Sequence, residues 1–372
     1  MSYFDKELDA IKKANIYRKR ELFDSELIDF ASNDYLGLST NKKIFNKSCR
    51  YLTKQRYFSP KASTMVNGYH KIHKKLEKLL CDMNGFEDGI IVGSGFLANI
   101  AMFESMPRNN DMLLLDENYH ASGLMASKLS KGKVGVFKHN DIEELESLLI
   151  QYHNKYNKII VAAEGVYSMS GDMANPKIYS LCNKYKCMLI VDEAHSSGVI
   201  GKNLNGWFDY NNFEIKENHI KMATFSKAYG SYGAYILSTK QTISYLENRA
   251  KPVIYSTALS LFDTAYAYFA IRYIKKNKQK INKKINKIQN IVKEKLNIDM
   301  PALILPIEQN TNKSTKYIQQ KLKKHKFLVG AIRQPTVKKP IIRIIPKLNI
   351  KLMSFKAILD IIKHTIKTKE KI

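Results

Sequence analysis

The chain has 372 residues, 44% of them hydrophobic, and a formal net charge of +27 from 61 lysines and arginines against 34 aspartates and glutamates. That length buries a full core, as one large domain with a smaller one beside it. No run of 18 apolar residues occurs and the start, MSYFDKELDAIKKANIYRKR, is charged rather than signal-like, so the expectation is a soluble cytoplasmic protein without a membrane span.

In chain order, the residues up to 42 read as an N-terminal segment, 43–245 as a large domain and 246–372 as a small one. Within the large domain the apolar runs GIIV, MLLLD, VGVF, KIIVAAE, CMLIVD, IKMATF and GAYIL read as buried strands, with helices at 96–106, 141–153 and 176–186 between several of them. This alternation predicts an α/β fold with a mainly parallel central sheet covered by helices on both faces. From about residue 255 a long helical stretch, two strands in FLVGAIRQPT and IIRIIPKL, and a closing helix predict an α+β domain.

Much of the basic charge lies in IKKNKQKINKKINKIQNIVKEKLN, where Ile281, Ile285, Ile288 and Val292 recur at helical spacing and lysines take the other face. A solvated helix accounts for it, although a positive surface also steers acidic partners. A basic nucleic-acid-binding protein is the distant alternative; it needs clustered cations interleaved with aromatics on one face, and the lysines here are spread through helices. Cys49, Cys81, Cys182 and Cys187 form no CxxC pair and no metal-ligand spacing, which predicts reduced thiols and no metal site.

In an open parallel sheet, ligands bind beyond the carboxyl ends of the strands. Glu164, Asp192, His195, Thr224, Ser226 and Lys227 all fall there. VDEAHSSG, residues 191–198, contains the Asp-Glu-Ala-His of certain helicases, but the chain lacks the GxxxxGK[ST] phosphate loop such an enzyme requires. The same residues suit pyridoxal phosphate instead. Lys227, between small and hydroxyl residues in TFSKAYGSYG, suits a Schiff-base lysine, which must be partly desolvated to act as nucleophile and base. Asp192 is either the carboxylate that keeps the cofactor's ring nitrogen protonated or a helix cap. His195 either reaches the ring's phenolic oxygen or is a core histidine. Gly-Ser-Gly at 93–95 opens a helix, so Ser94, Gly95 and Phe96 form either a phosphate cradle or a tight turn. His120, in DENYHAS, is placed to stack on the ring and assist proton transfer.

SNDYLGL (32–38), GSGFLAN, YHAS, EGVYSMSGD (164–172), VDEAHSSGVIG and TFSKAYGSYG occur in order. Together they resemble the α-oxoamine synthases, fold-type I pyridoxal-phosphate-dependent transferases with the aspartate-aminotransferase architecture, and most closely the branch serving biotin biosynthesis. The resemblance covers the chain from about residue 8 onward. It implies a C-acyltransferase that condenses L-alanine with a pimeloyl thioester, carried on coenzyme A or acyl carrier protein, with decarboxylation. The alternative is a sister synthase such as glycine C-acetyltransferase. By the same resemblance Lys227 carries the cofactor, Asp192 pairs with its ring nitrogen, and His195 and Ser168 contact the phenolic oxygen. His120 stacks on the ring, while Ser94, Gly95, Phe96 and Thr224 surround the phosphate. Asn33 and Arg343 hold the amino-acid carboxylate and Arg18 reaches the acyl substrate. A homodimer with shared active sites is implied, in which Ser256 and Thr257 come to the phosphate from the other subunit. The sequence departs from the family pattern in a shortened stretch after Arg18 and in KKPIIRIIPKLN, which lacks the usual glycine before Arg343.

Overall fold

The structure is a computed structural model that describes residues 3–14 and 16–369, with backbone alone for 365–369. Its strands are β1 Ile28–Phe30, β2 Asp88–Val92, β3 Asp111–Asp116, β4 Lys133–Phe137, β5 Lys158–Glu164, β6 Met188–Asp192, β7 His219–Thr224, β8 Ala234–Ser238, β9 Leu305–Glu308, β10 Phe327–Ile332 and β11 Ile341–Ile344. They form a seven-stranded sheet of order β2-β8-β7-β6-β5-β3-β4 and a four-stranded sheet of order β1-β10-β11-β9.

The large sheet is mainly parallel, as expected: β3, β4, β5, β6 and β7 run alike and only β8 opposes its neighbours β2 and β7. The reversal at β8 follows from chain length. Residues 225–233 are fewer than the dozen or so a parallel crossover requires. The central strands are apolar on both faces because helices cover both. Leu113, Ile160, Val161, Ile190 and Ile220 are fully buried. The expected helices appear at Gly95–Ser105, Ile142–Tyr152 and Lys177–Lys184. Asp141 starts the second of these by accepting from Glu144 N at 2.9 Å.

By proximity along the Cα trace the chain divides into two compact units, one of residues 1–32, 305–345 and 350–372, the other of 33–304 and 346–349. The first holds the four-stranded sheet, in which β1 is parallel to β10 and β10, β11 and β9 are antiparallel. β11 stops before Pro346, which has no N–H to give to a ladder. The second unit holds the large sheet and the helix Leu261–Leu296, whose buried Ile281, Ile285, Ile288 and Val292 are the stripe read from the sequence. The sequence boundary at 245/246 follows the change from alternating strands to long helix. Grouping by proximity follows packing instead, since that helix lies on helices Lys42–Leu52 and Lys71–Asn84. Among the described residues no helix is long and apolar enough to cross a membrane.

Candidate active site

Strand order brings the carboxyl ends of β2, β3, β5, β6 and β7 to one edge of the large sheet. Glu164 and Asp192 end β5 and β6 as register partners, and Thr224 of β7 and Val92 of β2 both face Ala234 across β8. The loops that follow carry Ser94 and Gly95, His120, Ser168, His195 and Lys227.

Lys227 Nζ lies 2.8 Å from His195 Nε2, and His195 Nδ1 lies 2.5 Å from the hydroxyl of the fully buried Tyr35. Asp192 is buried and accepts from Ala194 N at 3.0 Å. Burial raises the Asp192 pKa, and the charge of Lys227, the Ala194 N–H, His120 and Asn99 pull it back. Glu164 stands beside it, pushed well above the usual carboxylate range by burial first and by the Asp192 charge second. Two carboxyls closed away from water on neighbouring strands thus both have their charge disfavoured by burial. Glu164 accepts from Ser168 N at 3.1 Å. His120 caps helix Ala121–Ser127 through Nδ1, which accepts from Ser122 N at 3.2 Å. The protein around its ring lowers its pKa; Asp192 opposes that shift and Lys227 adds to it.

A second group of polar atoms gathers at a helix start. Helix Gly95–Ser105 begins with Ser94, whose Oγ accepts from Leu97 N at 3.2 Å. The first N–H groups of a helix have no intrahelical acceptor and carry the positive end of its dipole. A Cβ on Gly95 would come within 2.7 Å of Thr224 Cγ2, so only glycine lets this helix start approach the end of β7. Thr224 Oγ1 is buried there and has no hydrogen-bond partner among the described residues. A buried polar atom left so is costly unless a ligand completes it.

VDEAHSSG resolves residue by residue. Glu193 is fully buried and structural: it accepts from Ser196 Oγ at 2.6 Å and from Trp207 N at 2.5 Å, and faces the buried Lys221 Nζ at 3.5 Å. Asp192 and His195 are left for the site. Ser168 is buried and Asn33 half-buried, its carbonyl accepting from Tyr35 N at 2.8 Å. Ser256 lines a cavity of about 440 Å³ with Ile100, Glu104, Leu129 and Lys251, and none of the residues named above lines it; Thr257 is exposed. Phe96 is exposed beside that helix start. Arg343 is buried in β11 opposite Gly330 and Pro306, and Arg18 is exposed; both belong to the first unit.

Three contributors escaped the sequence reading. Tyr35 lay within a quoted motif but received no role. Asn99 donates to Ser122 Oγ at 2.9 Å and accepts from the Tyr119 hydroxyl at 3.1 Å, linking the Asp192 and His120 loops. A lone asparagine in the apolar helix GFLANIAMFES is a legible signal for such a role. His139 bridges Asp116 Oδ1 at 2.9 Å and Asp172 Oδ2 at 2.8 Å, tying the segments that lead to His120 and from Ser168.

The model of the family described as aminotransferase class I and II matches residues 25–353, and the chain belongs to that family. The 8-amino-7-oxononanoate synthase of Helicobacter pylori strain 26695 is 45% identical over 92% of this chain and 91% of its own length. Within the class the chain thus belongs with the 8-amino-7-oxononanoate synthases, and the resemblance to α-oxoamine synthases is borne out. Among solved structures, the Francisella tularensis 8-amino-7-oxononanoate synthase superposes with a TM-score of 0.77 at 26% identity, over 93% of this chain and all of that one. A serine palmitoyltransferase from S. paucimobilis, solved with PLP and myriocin, superposes with a TM-score of 0.88 over 99% of this chain and 98% of that one. At 21% identity it speaks for the fold alone.

Proposed function

We propose that the chain carries out the reaction its relatives are named for: it condenses L-alanine with a pimeloyl thioester, releasing the thiol and carbon dioxide, with pyridoxal phosphate as cofactor in biotin biosynthesis. The observation that carries this reading is the convergence of a lysine amine, a histidine and a buried aspartate at one edge of a parallel sheet. The residues fit the cofactor. A buried acid suits a protonated ring nitrogen, and an unsatisfied hydroxyl beside a helix start suits a phosphate.

When bound, the cofactor supplies an electron sink for the pair left on the amino acid's α-carbon. Asp192 holds a proton on the ring nitrogen, because a carboxylate out of water favours a cationic partner. With the cofactor bound, Lys227 would be its point of attachment, and Nζ would be the base that takes the α-proton. His195 and Ser168 would hold the phenolic oxygen, and His120 would cover the ring. Ser94, Gly95, Phe96 and Thr224 take the phosphate. Asn33, Arg343 and Arg18 are assigned to the substrates by their positions in the sequence.

The acyl group arrives on coenzyme A or on a carrier protein, and the enzyme acts in the cytoplasm as a homodimer. Phe58, Val66, Met125, Leu129 and Tyr255 are exposed apolar side chains, material for burial against a second copy. Ser256 and Thr257 lie in the same region of sequence as Tyr255 and are assigned to the partner's phosphate site.

Borohydride reduction of the loaded protein, followed by peptide mapping, tests the central assignment. The label belongs on the peptide containing Lys227, and Lys227→Ala abolishes both label and turnover. A label on any other lysine would falsify it.

A further inference from the structure

The turn that carries Tyr35 is more firmly built than a surface loop requires. Asp34 accepts from Leu38 N at 2.9 Å and Ser39 N at 3.3 Å, and Gly37 N donates to the Asp34 carbonyl at 2.9 Å. Leu348 N donates to the Tyr35 carbonyl at 2.9 Å. On the other side the turn meets the loop that follows Lys227. Gly230 N donates to the Lys227 carbonyl at 3.0 Å, and a Cβ on Gly230 would fall 2.5 Å from Ser39 N. Two rigid turns thus fix Tyr35 against the Lys227 loop, with His195 between the two side chains at 2.5 and 2.8 Å.

A neutral imidazole has one donor and one acceptor nitrogen, and the partner on one decides which hydrogen the other carries. The Lys227 ammonium can only donate to Nε2; once Nζ is committed to the cofactor instead, a tyrosine hydroxyl that donates to Nδ1 leaves the hydrogen on Nε2. We infer that Tyr35 is a positioning residue of this active site: in the cofactor-loaded protein its hydroxyl donates to Nδ1 and fixes the ring and tautomer of His195, so that Nε2–H is presented to the cofactor's oxygen. In this role Tyr35 acts on the reaction through His195. A phenylalanine fills the same buried space but leaves the imidazole free to turn and to change tautomer. The ring geometry agrees, with Tyr35 edge-on to His195 at 6.0 Å between centroids and 70° between planes.

This inference rests on the functional reading above, and its test separates the two. Histidines are labelled with ¹⁵N in loaded wild-type protein, Tyr35→Phe and His195→Asn, the last of which assigns the His195 resonances. Wild type shows a neutral His195 protonated at Nε2, and Tyr35→Phe shows a mixture of tautomers. Loss of one buried hydrogen bond lowers kcat of Tyr35→Phe about fivefold to tenfold, with KM for alanine within about twofold on the same grounds. Because Tyr35 acts only through His195, adding Tyr35→Phe to His195→Asn costs nothing further. A wild-type imidazole protonated at Nδ1, an unchanged His195 spectrum in Tyr35→Phe, or additive losses in the double variant overturns the inference and leaves the function standing. Wild-type protein that fails to attach the cofactor at Lys227 removes both.

Discussion

At Asp192 the physical cost and the function point in opposite directions. Burial disfavours its charge, yet a charged carboxylate is what a protonated ring nitrogen needs. Asp192→Asn is therefore expected to leave the cofactor-free protein at least as heat-stable as wild type at neutral pH. Its activity should fall by more than about two decades, because a broken buried pair costs roughly 3–5 kcal/mol. Calorimetry of the cofactor-free forms and steady-state rates check the two halves; a lowered Tm alongside lost activity would make Asp192 a structural residue. Gly230 is a second place where one atom decides. Its φ is +63° and an added Cβ meets backbone, not a yielding side chain. Gly230→Ala should cost at least about 1–2 kcal/mol from the left-handed conformation alone, with more from the clash. It should also weaken cofactor retention, since it displaces the Lys227 loop from the Tyr35 turn. Urea unfolding and cofactor dissociation rates measure these.

At the scale of elements, the loops after β3, β4 and β5 are held together by one imidazole. Burial alone would lower the His139 pKa. Hydrogen bonds to Asp116 and Asp172, with their charges, outweigh that and raise it to about 10. Asn140 reinforces the joint: its N–H donates to Asp116 Oδ2 at 2.9 Å and its amide donates to the Met173 carbonyl at 3.0 Å. Since the folded pKa lies above the ordinary 6.5, the stabilisation is fully present below about pH 6.5 and is lost as pH rises towards about 10. His139→Gln, which cannot carry the charge, is expected to be less stable than wild type near pH 6, with the gap closing as pH approaches about 10. Urea midpoints across that range test this. A gap constant with pH would mean that His139 holds the loops by shape rather than by charge.

For the whole molecule the question is whether one chain makes a site. If Ser256 and Thr257 complete the partner's phosphate site, Lys227→Ala and Ser256→Ala/Thr257→Ala are each nearly inactive. Their mixed dimers then hold one intact site and one doubly damaged site. Activity after subunit exchange recovers towards about a quarter of wild type, since half of randomly paired dimers are mixed and half of their sites are intact. Verified heterodimers without recovery would assign the two hydroxyls to their own chain. The same exposed apolar side chains that suggest a dimer lie among the residues the sequence passed over, because a surface that waits for a second copy has no periodicity of its own.

What the sequence determined by itself was whatever local pattern encodes. Buried strands announce themselves as apolar runs, helices as spaced stripes, and ligand-facing residues as polar positions just past a strand's end. That was enough for a mainly parallel α/β sheet and for Lys227, Asp192, His195 and Thr224 at one edge of it. Tertiary structure alone decided the rest, because the deciding contacts join residues far apart in the chain. Tyr35 reaches His195 across 160 positions, and His139 joins two acids that lie 23 and 33 residues from it. The two acidic neighbours in DEAH differ for the same reason. Both are buried carboxyls in one tetrapeptide, but Glu193 meets the Trp207 N–H and a buried lysine, while Asp192 accepts from the Ala194 N–H and feels the charge of Lys227. Only the packing of later segments, the helix start at Trp207 for one and the loop of Lys227 for the other, gives the two carboxyls their different surroundings.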